Sequence, residues 1–534
     1  MPDEQVPVLV VGGGYAGLAS SLFLSEQGVR CVLVDRHPGV SIQGRARGIN
    51  QRTMEIYRPL GLESAVVAAG KPFEADAGVA RCQTLTGDWE WIFEPDPDPA
   101  VAAMSPATFT MADQSSVEPI LIDAARTRGA DLRFGTEMTS LRLDVDGVTA
   151  VLEDRSSGTS ATVRAGYLIA ADGHRSPIRE QVGISRTGPG VTQHFISILI
   201  DADLTEIVRR RALFWIVLNE QVGFASFVTT ATPGRWGVSV TYDPASQSPA
   251  DFTAERCAEV ARAVIGRAGL PIEVVDVATW EQAVGVADRY RAGRVFLVGD
   301  SAHVWPPAAA MGANSGVQDA HNLAWKLAAV LHGVAHDSLL DTYEAERRPV
   351  ALELAQATVR RQQARFSGGQ EEDADDSMWI LGQRYRSAAI ADTDHSVPFD
   401  GPVSARVQAG SRVPHLWLDR DGERISTHDL FHDAFVLLTG PAGQQWLDAA
   451  AELARRRAMP LRAYRIGQRG DPAELADVNG EWTRRGTAPG QAVLVRPDGY
   501  AAWLSPATPH DVRAALKDAL TRILPAARSI GGRP

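Results

Sequence analysis

The stretch Val6-Pro7-Val8-Leu9-Val10-Val11-Gly12-Gly13-Gly14-Tyr15-Ala16-Gly17 decides the fold. The apolar run before the glycines reads as a short buried strand. Ala16 to Gln27 reads as a helix closed by Gly28, and Val29 to Asp35 as a second strand. Strand, glycine turn, helix and strand make a βαβ opening, whose consequence is a parallel sheet. Gly12, Gly14 and Gly17 satisfy the G-x-G-x-x-G spacing. The first glycine permits the tight turn, the second lets the backbone approach a pyrophosphate, and the third lets helix and strand pack closely. The helix start then presents free N–H groups to phosphate oxygens. Asp35 ends the next strand, where a carboxylate accepts from a ribose hydroxyl. A chance glycine-rich turn would lack this surrounding order, so the motif reads as dinucleotide binding.

Two further segments repeat the strand–turn–helix theme. Tyr167 to Ala171 is a strand, followed by Asp172-Gly173-His174-Arg175-Ser176-Pro177-Ile178-Arg179, which opens a helix. In isolation this is a capped helix with a surface arginine. Val295 to Val298 is another strand, followed by Gly299-Asp300-Ser301-Ala302-His303, Pro306-Pro307, Gly312-Ala313-Asn314-Ser315-Gly316 and a long helix to Gly333. A carboxylate at a strand end can hold a ribityl hydroxyl, and amides at a helix start can face an electron-rich flavin edge. Between these segments, Thr187 to Asp243 is β-rich and aromatic and reads as an antiparallel sheet in a separate subdomain, followed by a helix over about 250–269. Gly368 to Asp376 reads as a solvated loop. Pro398 to Gly410 leads into a last domain with a strand at 434–438, a helix at 444–457, a strand at 461–466, a strand pair around Pro497-Asp498-Gly499 and a final helix from about Pro509.

Composition narrows the class. The chain has 534 residues, 45% hydrophobic and 22% charged, which suits a soluble protein of two or three domains. A net charge of -12 argues against nucleic acid, whose phosphates demand clustered basic surface. Cys31, Cys82 and Cys257 lie far apart, without metal-ligand spacing, so neither a zinc site nor a disulfide framework is expected. The N-terminus enters a strand directly, and no apolar run reaches membrane length. The expectation is a cytoplasmic protein, monomer or homodimer, with no membrane, nucleic-acid or metal partner.

The three fingerprints together resemble those of the group A flavin monooxygenases, the para-hydroxybenzoate hydroxylase family. Gly44-Arg45-Ala46-Arg47-Gly48 with Arg52-Thr53-Met54-Glu55 resembles the family's flavin-covering segment, and Gln114 with Glu118-Pro119 its FAD-contacting helix. Val286-Ala287-Asp288-Arg289, Gly293 to Leu297, and Asp319-Ala320-His321-Asn322-Leu323-Ala324-Trp325-Lys326 match on either side of the Gly-Asp turn. Gly382 to Ser387, Pro414-His415-Leu416-Trp417 and Val493 to Gly499 are most similar to the aromatic polyketide hydroxylases of the aklavinone type.

The resemblance implies an α/β fold: a Rossmann-like FAD-binding domain (1–180 and 281–365), a mixed-sheet substrate domain (181–280, with contributions from about 72–110), a linker (366–400) and a C-terminal thioredoxin-like domain (401–534). That last domain holds no cysteine, which excludes thiol redox chemistry there. FAD is implied as cofactor, held by Gly12, Gly14, Gly17, Asp35, Arg36, Arg45, Gln114, Asp172, Asp300, Pro307, Gly312, Ala313 and Asn314. NADPH binds transiently, with O2 as co-substrate, and a second G-x-G-x-x-G unit for NADPH is absent. The resemblance implies that oxygen transfer to an aromatic polyketide would proceed through a flavin hydroperoxide. Pro307 packs against the flavin, Arg45 helps bind FAD or admit NADPH, and Arg384 and Tyr385 are candidates for substrate anchoring or proton transfer. Trp215, Phe224, Phe227, Trp236 and Trp280 are candidates to floor a planar pocket. His303 reads as a packed loop histidine. Ala309-Ala310 departs from the family, which has glycines there.

Rival readings share the flavin site. A Baeyer–Villiger or ring-rearranging oxygenase would differ in substrate pose. A halogenase would need a bridging lysine, and Lys71 alone stands near Trp89-Glu90-Trp91. A non-catalytic flavoprotein would show no substrate-stimulated NADPH oxidation. A serine hydrolase would need a G-x-S-x-G elbow, which does not occur.

Overall fold

A computed structural model describes residues 2–526, apart from 43–45, 77, 94–98, 209–211, 308–309, 368–375, 392–397, 400–405 and 508. Glu4–Val11 is a central strand, lying parallel to Cys31–Asp35 on one side and to Ser160–Ala170 on the other. Neighbours on both edges and cover on both faces explain its near-continuous apolar sequence, with Val8, Leu9 and Val10 fully buried. Asp131–Phe134 and Val295–Leu297 extend the sheet outward, again in parallel. The hairpin Thr136–Asp144/Gly147–Asp154 turns at Val145-Asp146 and feeds Ser160–Ala170. The helices Tyr15–Glu26 and Met311–Leu331 cross where Ala16, Gly299 and Gly316 meet. A Cβ on Gly316 would stand 3.2 Å from both the Ala16 methyl and the Gly299 Cα. Small residues there let two helix starts converge.

The second sheet runs in the order His303–Val304, Glu273–Ala287, Arg186–Asp201, Arg235–Tyr242, Gly223–Thr229, Phe214–Asn219, Val79–Cys82 and Trp89–Phe93. One face is sealed by the helix Ala254–Ile265, which is shorter than its sequence suggests. Thr253 caps its start through the Arg256 N–H (3.3 Å), and Gly266 ends it in a left-handed conformation.

The C-terminal sheet, in the order Glu423–Ser426, Trp417–Arg420, Leu475–Asp477, Leu461–Gly467, Phe435–Thr439, Ala492–Val495 and Ala501–Leu504, carries the helices Gln444–Arg457 and Val512–Ile523. A parallel pair beside an antiparallel pair gives it its thioredoxin-like character. The described part of the expected 366–400 linker is not a free tether. Asp376–Leu381 is a helix, and Trp379, Leu381 and Tyr385 are buried between the domains, because this segment carries its own apolar cluster. The expected solvated loop over 368–376 lies almost wholly outside the described residues.

Charged side chains join the C-terminal sheet to the rest. Arg496 donates to Glu346 at 2.6 and 2.9 Å and pairs with Asp498. Lys326 donates to Glu346 (2.8 Å) and to Asn322 Oδ1 (2.7 Å). Beside them, Glu55 receives Arg52 (3.0 Å) and Arg412 (2.9 Å), and Arg52 reaches the Asp498 carbonyl (2.6 Å). All of these groups are buried. Burial pulls the Lys326 ammonium down to about 8 despite the opposing pull of Glu346. No described helix is long and apolar enough to cross a membrane.

Candidate active site

The glycine turn matches its sequence logic atom by atom. Gly12 has φ +111°, and a Cβ there would lie 2.1 Å from the Ala171 carbonyl oxygen. A Cβ on Gly17 would lie 1.8 Å from the Gly12 oxygen, so the close contact of helix and strand requires glycine. A Cβ on Gly14 would meet nothing within 4 Å. Gly14 is also the N-cap of Tyr15–Glu26, and no side chain caps that helix. Open space in front of uncapped amides is what a pyrophosphate needs. Asp35 is fixed beside the turn: one oxygen accepts from the Gly13 N–H (2.6 Å), the other from the His37 N–H (2.7 Å). Arg36 is exposed at the rim. Gln114 starts its helix with Nε2 on Glu118 (2.5 Å) and its N–H on the Ala46 carbonyl (3.0 Å). Arg45 lies outside the described residues.

The second helix start lies close by. Met311–Leu331 also lacks a side-chain cap, and Ala310 enters it in a left-handed conformation, φ 53° and ψ 28°. Asn314 latches this corner. Its Nδ2 donates to the Gly48 carbonyl (2.7 Å) and the Ala310 carbonyl (2.6 Å), and its Oδ1 accepts from the Asn50 N–H (3.0 Å). Gly312 and Ala313 are half-buried, while Asp300 and Pro307 are exposed toward solvent. Ala309 lies outside the described residues. Asp172 shapes its own turn: one oxygen accepts from Ser176 Oγ (2.6 Å) and the other from the Ile178 N–H (3.1 Å).

The five aromatic candidates do not share a face. Trp215 pairs with Phe227, Phe227 with Val238, and Trp236 with Ile200. Trp215 and Phe227 lie in the core beneath Ala254–Ile265 with Cys257 and Ala261, and as pocket floor are corrected to core, while Trp236 packs half-buried against the same cluster. Phe224 and Trp280 point the other way, as strand alternation demands. There Trp280 stacks on Phe195 (4.1 Å, 6°) with Phe224 edge-on (6.2 Å). In the next cross-strand row on this face stand Ser226, Ser239 and Ser197, with the Ser197 and Ser239 hydroxyls 2.8 Å apart. This face is half-open and turned toward the helix Asp341–Ser367, whose Gln362 donates to Gln282 at 3.0 Å. Gly285 pairs with Val304, just ahead of Pro306-Pro307. Phe195 was missed because its strand was read as a block rather than by parity. Phe109 was missed too: it is 41% exposed, and with the Ala310 methyl it brackets the Cα of Gly48.

Tyr385 and Arg384 diverge. Tyr385 is buried, its hydroxyl accepts from Arg347 (3.0 Å), and its ring stacks on Tyr500 (4.0 Å). Burial drives its phenol well above the ordinary range, so it keeps its proton. Arg384 reaches Gln408 (2.9 Å) on the opposite side of the chain from the Tyr385 ring. His303 is a packed loop histidine, stacked on Trp305 (4.5 Å, 9°) and paired with Asp319 (2.7 Å).

Residues 5–358 match the family described as FAD binding domain, and residues 407–527 the aromatic-ring hydroxylase C-terminal domain. The chain is 41% identical over 550 residues to the tetracenomycin A2 monooxygenase-dioxygenase of Streptomyces glaucescens, with 98% of each chain covered. It is 39% identical over 539 residues to the aklavinone 12-hydroxylase of Streptomyces purpurascens, covering 98% of this chain and 100% of that one. Its fold matches aklavinone-11 hydroxylase, solved as a ternary complex with FAD and aklavinone, at a TM-score of 0.88 and 37% identity, over 98% and 100% of the two chains. Fold and site together define a flavin-binding oxygenase with a C-terminal thioredoxin-like domain. The chain belongs to the FAD-dependent aromatic-ring hydroxylases.

Proposed function

We propose that this chain uses NADPH and O2 to hydroxylate a planar, polycyclic aromatic polyketide. The observation that carries the reading is the half-open sheet face, where stacked rings lie beside a row of hydroxyls. Phe195, Trp280 and Phe224 offer flat contact to fused rings, and Ser197, Ser226 and Ser239 offer donors and acceptors to ring oxygens. The tetracenomycin and aklavinone enzymes among its relatives support the substrate class. Bound FAD supplies the activation of O2. Gly12, Gly14, Gly17 and Asp35 would hold its nucleotide end. Asp300, Pro307, Gly312, Ala313 and Asn314 would hold its ring end, with Gln114 at the side and Arg36 at the rim. The sheet face orients the target carbon and keeps water from it.

The test is NADPH oxidation by the purified flavoprotein, with and without an anthracyclinone-like polyketide, under isotopically labelled O2. Stimulated oxidation with one labelled oxygen in an intact ring system is expected. A cleaved or expanded ring would favour Baeyer–Villiger chemistry. Absence of stimulation by any polycyclic phenol would sink the substrate assignment.

A further inference from the structure

Asp319 is fully buried on the Met311–Leu331 helix and takes three donors. The Gly299 N–H (3.1 Å) and His303 Nε2 (2.7 Å) meet one oxygen, and Arg347 Nε (2.7 Å) meets the other. Burial alone would raise this carboxyl, yet His303 and Arg347 hold it down to about 2, so it stays ionised. Gly299 opens the turn that carries Asp300. His303 stacks on Trp305 immediately before Pro306-Pro307. Asp319 therefore pins both ends of the loop that leads to the ring-end residues.

Arg347, on the helix Asp341–Ser367, spreads from this hub in three directions. Its Nη2 donates to the Ser315 carbonyl and hydroxyl, both at 3.3 Å, next to Gly312 to Asn314. Its Nη1 donates to Gln383 Oε1 (2.8 Å) and the Tyr385 hydroxyl (3.0 Å). All five guanidinium N–H donors thus have acceptors, and the rigid fork fixes their relative directions. Tyr385 in turn stacks on Tyr500, just ahead of the C-terminal strand Ala501–Leu504 (4.0 Å, 24°). One buried side chain touches the loop-pinning carboxylate, the helix start and the residue that rests on the C-terminal domain. The relay is continuous and side chain to side chain.

We infer that Arg347 is a positioning residue through which the cysteine-free C-terminal domain sets the geometry of the flavin-facing turns 299–307 and 312–315. Tyr385 is the coupling contact. The inference rests on those turns holding the ring end of FAD, as proposed above. It gives the C-terminal domain a role in tuning the cofactor that needs no thiol.

Tyr385→Phe is the primary test, because it removes only the hydroxyl that accepts from Arg347 and keeps the ring on Tyr500. The holoenzyme is expected to bind FAD about threefold to tenfold more weakly, with a displaced visible flavin band. Arg347→Lys keeps the charge opposite Asp319 but loses the fork, and is expected to move both readouts further in the same direction. Arg58→Ala is the control. It breaks a different contact to the C-terminal domain, Arg58 to Asp429 at 2.8 Å, and should lower thermal stability while leaving flavin affinity and spectrum unchanged. The relay is overturned if Tyr385→Phe and Arg347→Lys match the wild type in both readouts, or if Arg58→Ala moves them as much. Asp300→Ala separates the layers. If it weakens FAD binding while the Tyr385 and Arg347 variants do nothing, the relay alone falls. If it leaves FAD binding unchanged, the placement of the cofactor falls and takes the relay with it.

Discussion

At the Gly12–Gly17 turn the binding surface is bare backbone, and side chains are kept away from the start of the first helix. At the seam between the Met311–Leu331 helix and the C-terminal sheet, the contact is made by charged side chains shut away from water. The cradle depends on what is missing from a local sequence. The seam depends on partners from distant parts of the chain, such as Glu346 with Arg496 and Glu55 with Arg412. A cradle of that kind fails by steric overlap, whereas a seam fails by leaving a charge unpaired.

The largest expected effect is therefore at the seam. Arg496→Met removes the cation shared by Glu346 and Asp498 and leaves two buried carboxylates short of a partner. Breaking one side of such a network costs about 3–5 kcal/mol. Thermal unfolding of the holoenzyme should show the loss. A change under about 1 kcal/mol would mean that water reaches the seam, and the contrast with the cradle would collapse.

Next comes a pair of substitutions inside the cradle. Gly17→Ala places a methyl 1.8 Å from the Gly12 oxygen, and the strain should cost about 3 kcal/mol whether or not FAD is present. Gly14→Ala meets nothing within 4 Å, so apoprotein stability should stay within about 0.5 kcal/mol. Its methyl would nevertheless fill the space before the helix start, so FAD affinity should fall. Equal effects of the two variants on the apoprotein would show that Gly14 has a packing role and not a ligand-facing one.

The seam also has a pH signature that the cradle lacks. Burial lowers His321 to about 3, His415 to about 4, and His428 well below its ordinary value. The folded protein therefore excludes protons that the unfolded chain accepts once the pH drops below about 6.5. The sign follows from that: stability is full above this value and falls as the pH descends toward the folded values. The loss is of order 1–2 kcal/mol per histidine near pH 5. The seam carboxylates Glu55 and Glu346 are held well below the ordinary range by Arg412 and Arg496, so at the seam this window belongs to the imidazoles. Unfolding temperatures between about pH 7 and pH 5 should decline, and His321→Leu should flatten part of the slope. An unchanged slope in that variant would place the acid sensitivity elsewhere.

What the sequence made legible follows the same division. The parallel sheet, the glycine turn and the strand-end Asp35 are local patterns, and each is read from a dozen or so neighbouring residues. The capping role of Asp172 was not legible, because a capping carboxylate and a ligand carboxylate have the same sequence neighbours, and it takes the structure to show the 2.6 Å bond from Ser176. The aromatic residues misled for another reason. Phe224 and Phe227 stand three apart in one strand, so they cannot face the same side, and parity alone would have divided the candidates. The relay through Arg347 was not legible at all, since it joins positions 299, 319, 347, 385 and 500 with no shared motif. The helix Asp376–Leu381 inside the expected linker was not read, although Trp379, Ile380 and Leu381 stand together as an apolar cluster in the sequence.

The smallest effect probes the second helix start, where an alanine stands in a conformation that favours glycine. Ala310 holds a left-handed conformation with φ 53°, although an alanine pays for its Cβ there and glycine would not. Relief of that strain should make Ala310→Gly more stable by up to about 1 kcal/mol. Two contacts oppose the gain. The Ala310 methyl sits 2.7 Å from where a Cβ on Gly48 would be, so it fills the hollow that Gly48 leaves beside Phe109. Asn314 also bonds the Ala310 carbonyl at 2.6 Å, and a freer residue would hold that latch less firmly. The strain is intrinsic to the backbone, whereas the methyl buries little surface, so a rise of a degree or two in unfolding temperature is expected for about 1 kcal/mol in a chain of this size. A fall would mean that packing between Gly48, Phe109 and Ala310 outweighs the strain. In that case the alanine is a deliberate brace on the corner where the helix Met311–Leu331 begins.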